Sequence, residues 1–170
     1  DLGLNILTNP KFNFNNISSN LGTRYTINKG ENIYFNYSIS SRKPNPSELF
    51  SEGLHHSSAR IEIGDLGFNS EVGHNISLTY NFANEKSSFT LNSFTNYVND
   101  FIYIIPVDLM PTIAGVFPYW EYKQADANLF GFDLKYDRQY FNNFFIGHQF
   151  SLIKGYERFN NKPLVNMPPV

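Results

Sequence analysis

Hydrophobic residues recur along this chain with a period of two, the spacing of a β-strand with one buried and one solvated face. In residues 21–28 one row is Leu21, Thr23, Tyr25 and Ile27, and the other is Gly22, Arg24, Thr26 and Asn28. After Lys29-Gly30-Glu31-Asn32, a tight turn in which Gly30 can adopt positive φ, Ile33, Phe35, Tyr37 and Ile39 alternate with Tyr34, Asn36, Ser38 and Ser40. The pair predicts a β-hairpin. Ile76, Leu78, Tyr80 and Phe82 repeat the design, 83–86 turns the chain, and a strand follows over 89–105. A third pair spans 119–136 and 144–152, with its turn in 137–143.

Six strands in three hairpins result, joined by short turns at 29–32, 83–86 and 137–143 and long links at 43–69 and 106–118, with a further long loop expected from 157. Brief turns at one end and long loops at the other are the layout of an outer-membrane barrel. One helical turn is expected over 47–53, started by Pro46 and Ser47. Residues 11–19 are open between a seventh strand and a loop limb. A lipid-facing sheet cannot leave an open edge, because unpaired N–H and C=O groups cost several kcal/mol each there. Six strands therefore call for more strands to close a barrel. The fold class is all-β: an antiparallel up-and-down transmembrane β-barrel segment. Its competitors are a soluble β-sandwich serving as a ligand- or carbohydrate-binding module, and a complete small barrel of about eight strands, against which Pro163, Pro168 and Pro169 argue.

Composition agrees with the two-faced strands. Aromatics make 17% and charged residues only 16%, and 23 asparagines supply polarity without charge. A mean hydropathy of -0.35 is compatible with a barrel whose inner rows are wet. The net charge of -2 argues against nucleic acid as a partner. Without cysteine there is no disulfide or thiolate chemistry. No G-x-S-x-G, H-E-x-x-H, P-loop or G-x-G-x-x-G motif occurs, so no enzyme activity and no cofactor is implied.

Residues 42–50, Arg-Lys-Pro-Asn-Pro-Ser-Glu-Leu-Phe, are followed by Gly53-Leu54-His55-His56, then Arg60-Ile61-Glu62-Ile63-Gly64-Asp65 and Glu71. This order resembles the barrel of TonB-dependent receptors, in which an R-x-P-x-x-x-E-L run precedes a glycine, often a histidine, and a G-(N/D)…L-x-x-E start of the next strand. Tyr97 to Ile105, Gly131-Phe132-Asp133, and Pro163-Leu164 with Met167-Pro168-Pro169 resemble later parts of the same barrel. Gly67-Phe68-Asn69-Ser70 departs from the family's leucine spacing before Glu71. The resemblance covers nearly the whole chain. It implies that residues 1–170 are a partial receptor barrel domain, about six of roughly 22 strands, with no plug domain, TonB box or aromatic-ended final strand visible. It further implies a bacterial outer-membrane location, with the lipid bilayer, the receptor's own plug domain, TonB and a small-molecule or metal-chelate ligand as partners. The cargo would be a metal chelate, haem or zinc.

Three groups of residues are candidates for function. Arg42 and Glu48 can pair and brace the first long link or meet a ligand. Tyr119, Trp120 and Tyr122 can stack on a flat or sugar-like ligand. His55 and His56, with Glu62 nearby, offer imidazole and carboxylate ligands for zinc or a similar metal, in a segment reminiscent of the zinc- and haem-uptake branch. Arg24, Asp133 and Lys135 are expected in the lumen. His148 falls on the apolar row of Phe144, Ile146 and Phe150, so either it lies at a membrane rim or the parity of that row breaks there, and His74 is similar. Tyr136 and Phe82, at the ends of apolar rows, suit an interfacial girdle.

Overall fold

The computed structural model describes residues 10–165. In chain order the elements are β1 (Ser18–Asn28), β2 (Glu31–Arg42), α1 (Pro46–Phe50), β3 (Glu52–His55), β4 (Arg60–Ile63), β5 (Glu71–Ala83), β6 (Ser87–Thr112), β7 (Gly115–Phe141) and β8 (Phe144–Glu157). The six long strands β1, β2, β5, β6, β7 and β8 form one antiparallel meander, each beside its predecessor. They are the six strands that the dyad pattern predicts. Two more, β3 and β4, are short pieces inside the first long link.

The pairing carries the alternation across the whole sheet. Tyr25, Ile33, Tyr80, Leu91, Leu134 and Phe150 stand in register on six successive strands. One residue along, the opposite face carries Arg24, Tyr34, Thr79, Asn92, Asp133 and Ser151. No second sheet covers the apolar face among the described residues, and Leu21, Leu78 and Phe150 stay 70%, 52% and 53% exposed. A soluble sandwich buries such rows across a shared core, so that alternative does not describe this fold.

The sheet also slants. Glu31, Phe82, Phe89, Tyr136 and His148 are in register; Glu31 opens β2, whereas His148 lies four residues inside β8. This drift of pairing relative to the short turns is the strand tilt that barrel geometry requires. The turns follow their residues: Gly30 has φ 82°, and the Asn84 side chain accepts the N–H groups of Lys86 and Ser87 at 2.9 and 2.8 Å.

Local expectations are corrected at two places and sharpened at two more. The link at 106–118 is not irregular chain: β6 runs to Thr112 and β7 starts at Gly115, so a two-stranded arm turns through Ile113 and Ala114. Prolines 106, 111 and 118 disguise it, yet they are tolerated because the arm's outer edges need no N–H donor. The turn expected over 137–143 shrinks to Asn142-Asn143. The chain leaves the strand at Glu157, as expected, and over 158–165 it doubles back, with Tyr156 bridged to Pro163 and Leu164 N–H donating to Gly155 O at 3.0 Å. Residues 10–17 form no strand; there Phe12 stacks on Phe14 and meets the edge of Phe50. The expected helical turn is α1, and Met167-Pro168-Pro169 lies outside the described residues.

Candidate functional site at the base of the long arm

The small buried core lies where the first long link crosses the β6–β7 arm. Leu49 of α1, Phe68 of the link and Ile102 of β6 pack together, with Phe14 and Tyr122 against them. The arm begins at a β-bulge between Val98 and Phe101, where Asp100 adopts φ 57°. Asp126 accepts the Asp100 N–H at 3.1 Å. Gln124 donates to the carbonyls of Asp100 and Asn69, both at 2.9 Å, and accepts the Asn69 N–H at 3.1 Å. An extra residue twists and re-aims a strand, and here Gln124 stitches the link to the kink.

Arg42, at the end of β2, donates from Nε to Glu71 at 2.6 Å and from a terminal nitrogen to Glu48 at 2.9 Å. Its ionisation is pushed further upward, chiefly by the Glu71 hydrogen bond. Glu48 also accepts the Asn45 N–H at 2.7 Å, which fastens the start of α1. Glu71 accepts the buried Ile102 N–H at 2.6 Å. Arg42 and Glu48 thus join as sequence spacing suggests, and Glu71 ties both to the arm. Gly64 passes so close to α1 that a Cβ there would lie 2.8 Å from the Leu49 carbonyl carbon. That contact requires glycine and explains the Gly-Asp pair after β4, since Asp65 N–H donates to Glu48 O at 2.9 Å.

A second cluster forms on the free upper edge of β7. There β4 adds in parallel, with Ile61 opposite Tyr119 and Glu62 opposite Trp120. Glu62 is only 4% exposed; its carboxylate accepts Arg60 Nε at 2.6 Å and the Tyr122 hydroxyl at 3.3 Å. Burial first, then the Glu62 charge, raises the Tyr122 hydroxyl. The Arg60 guanidinium lies 4.7 Å from the Trp120 ring centre, within cation–π range. Tyr119 donates to Glu121 at 2.6 Å, which raises Tyr119, and Glu121 is lowered by Lys123 first and Tyr119 second.

Sequence distance hides this meeting of Glu62, Trp120 and Tyr122. The histidines do not complete a metal centre with them. His55 on β3 bonds through Nδ1 with Ser58 and Ser57 at 3.0 and 3.2 Å, and His56 is exposed in the following turn. His55 and Glu62 both line a shallow cleft of about 230 Å³, which His56 does not line. Among the described residues no group of three or more His, Asp or Glu side chains has metal-holding geometry. Sequence reasoning passed over Arg60 as a partner for Trp120 and Glu71 as a partner for Arg42. Both stand in the quoted motif, but only register reveals what they touch.

His74 and His148 lie on the apolar face, so the parity of the rows holds at both. His74 bonds to the Tyr37 hydroxyl at 2.9 Å near the arm side, and His148 sits opposite Tyr136 near a short turn.

The family model described as TonB dependent receptor-like, beta-barrel, matches residues 1–170. Among solved structures, the chain resembles a copper transporter, OprC, with TM-score 0.72 and 17% identity, over 89% of this chain and 22% of that one. It resembles the siderophore receptor PirA from Pseudomonas aeruginosa with TM-score 0.67 and 16% identity, over 82% of this chain and 28% of that one. A ferric enterobactin receptor (PfeA) mutant from the same organism gives TM-score 0.52 and 15% identity, over 83% and 22%. The chain thus spans about a quarter of the length of these structures. No curated protein matches it significantly.

Proposed function

The chain belongs to the TonB-dependent receptor β-barrel family, and on that premise we propose that the protein containing it imports a scarce nutrient across the bacterial outer membrane. The observation that carries this reading is the two-faced sheet. Its apolar rows are uncovered and continuous over six strands, and its opposite rows are polar. Such a sheet is stable where hydrocarbon wets one side and a polar lumen or plug fills the other. Short turns then face the periplasm and the arm projects outward. The plug domain and TonB act through the complete receptor.

A metal chelate, haem or zinc is the cargo. The similar structures bear names that refer to copper, a siderophore and ferric enterobactin. In this chain Trp120 and Tyr122, on one face of β7, make first contact with the ligand, stiffened by Arg60 and Glu62, while Tyr119 stands on the opposite face of the strand. Arg42 and Glu48 fix the position of the link beside it. A metal at His55, His56 and Glu62 is a weaker reading, because it must draw Glu62 away from Arg60 and Tyr122.

The test uses the full-length receptor gene. Deletion is expected to abolish energised uptake of one among ferric siderophores, haem or zinc under limitation. Trp120→Ala is expected to lower its binding about tenfold, the weight of a central aromatic anchor. Unchanged uptake of all of them in the deletion strain overturns the proposal.

A further inference from the structure

Strand β7 keeps its alternation from the wall into the arm. Both register shifts of the β6–β7 pair place their extra residue in β6, between Val98 and Phe101 and between Pro106 and Asp108. Tyr119, Glu121 and Lys123 therefore stand on the same face of β7 as Asp133, the polar face of the wall. In the orientation proposed above, that face overlooks the mouth of the lumen, whereas Trp120 and Tyr122 continue the outer row. The register adds Phe101, Tyr103 and Ile105 of β6 to the inner face, beside Ala125, Lys123 and Glu121, and sets Met110 beside Phe117.

The chemistry of this face changes at the bulge. Below it the inner rows offer mostly amides and hydroxyls, such as Asn36, Asn75, Asn92 and Asn96. Above it Phe101, Tyr103, Ile105, Met110, Phe117 and Tyr119 make an aromatic and aliphatic strip. The rings nearest the wall are fixed in place. Tyr103 stands beside Lys123 and Glu157 beside Ala127, on opposite sides of β7. Their 2.6 Å hydrogen bond carries the Tyr103 ring across β7 over Ala125, and Ala127 is fully buried. Phe101 lies nearly parallel to Tyr103, at 11° and with 6.0 Å between ring centres. The charges on the strip are matched within it. Lys123 pairs with Glu121, which also accepts the Tyr119 hydroxyl. Glu157 accepts the Tyr103 hydroxyl and the Asn160 amide, with Lys162 next to it on the returning chain. Asp108 accepts the Leu109 N–H at 2.8 Å.

We propose that this strip is a second contact for the cargo, inside the mouth, and that it selects an uncharged metal chelate with an apolar surface. Rings already fixed by packing and hydrogen bonds give apolar contact without a further ordering cost. An anionic chelate gains a cation there only by drawing Lys123 away from Glu121, and it leaves that carboxylate and its own charge poorly solvated. The inference rests on the import reading above and narrows its cargo from a metal chelate, haem or zinc to the first of these.

The test uses the full-length receptor in neutral detergent, with binding read as quenching of its intrinsic fluorescence. The probes are an uncharged ferric trihydroxamate, a strongly anionic ferric tris-catecholate, haem and zinc chloride. The trihydroxamate is expected to bind at least about tenfold more tightly than any other probe. Phe101→Ala and Tyr119→Ala are each expected to weaken its binding about fivefold to tenfold, the weight of an aromatic contact at an interface. Phe101→Tyr should keep most of the affinity, and Val116→Ser, on the other face of the arm, should leave it unchanged. Heat-modifiable electrophoretic mobility identifies the folded variants, and Tyr119→Ala on the arm decides the matter if Phe101→Ala misfolds. Binding of any other probe as tight as that of the trihydroxamate, or wild-type affinity in the folded ring variants, overturns the proposal. Failure of the import reading looks different, because deletion of the gene would then leave uptake of every nutrient unchanged. Uptake lost on deletion, without the preference for the uncharged chelate, removes this inference alone.

Discussion

Arg42 and Glu71 are joined at 2.6 Å across the open end of the β2–β5 pair, and the second oxygen of Glu71 holds the Ile102 N–H of β6. One carboxylate thereby connects three strands at the point where the arm leaves the wall. Glu71 is buried and Arg42 is half-exposed. Removing the acid strands a buried N–H as well as a guanidinium, whereas removing Glu48 frees only the helix start and one side of Arg42. In the full-length receptor, Glu71→Ala is expected to cost about 2–3 kcal/mol and Glu48→Ala about 1 kcal/mol. Denaturant unfolding read by electrophoretic mobility measures both, and equal losses would contradict the assignment.

Gly131 marks a close approach inside the wall. A Cβ there would lie 2.8 Å from the tip of the Phe94 ring and 3.2 Å from Ile153 Cα. Phe94 pairs with Gly131 and uses its missing side chain as a seat. Gly131→Ala is expected to destabilise by about 1–3 kcal/mol, the range for overpacking. Adding Phe94→Ala should recover only part, because the backbone of β8 remains in the way. A double-mutant cycle measures the recovery, and complete additivity would exclude the Phe94 seat.

Tyr103, on the arm, donates to Glu157 at 2.6 Å. Burial first, and the bond to Glu157 second, push its hydroxyl up to about 12, from about 10 for a free tyrosine. The folded state therefore binds this proton more tightly than the unfolded state. The contribution is fully present below pH ~10 and is lost as pH rises through about 12. Tyr103→Phe is expected to be less stable near neutrality and to show a shallower alkaline loss. Stability against pH for both proteins decides it; parallel curves would remove Tyr103 as the cause.

The wall was legible because period-two alternation survives wherever one face is apolar, as in Ile33 to Ile39 and Ile76 to Phe82. The arm was less so. Its strands contain prolines, and beyond the bulge they have solvent or a link as neighbours, so Glu121, Lys123 and Gln124 mix into both rows. The candidate site was legible by residue type but not by partnership. Trp120 and Glu62 were both visible, yet their meeting depends on β4 reaching the free edge of β7 in parallel, a long-range pairing with no local pattern.

Leu78 and Ser77 test the orientation of the whole sheet with neighbouring residues. Leu78 lies between Phe35 and Ser93 on the apolar face and is 52% exposed. Ser77 lies between Asn36 and Phe94 on the polar face. Leu78 is five residues from the end of β5, near half the height of the apolar band. An arginine there must enter hydrocarbon, whereas one at position 77 reaches a wet interior. Leu78→Arg is expected to lower the stability of the receptor in lipid by about 2–4 kcal/mol, and Ser77→Arg by less than about 1 kcal/mol. Reversible folding into vesicles of neutral lipid measures the pair. Were the sheet a half of a soluble core, the Leu78 penalty would persist in the absence of lipid. Were the faces reversed, Ser77→Arg would carry the larger cost.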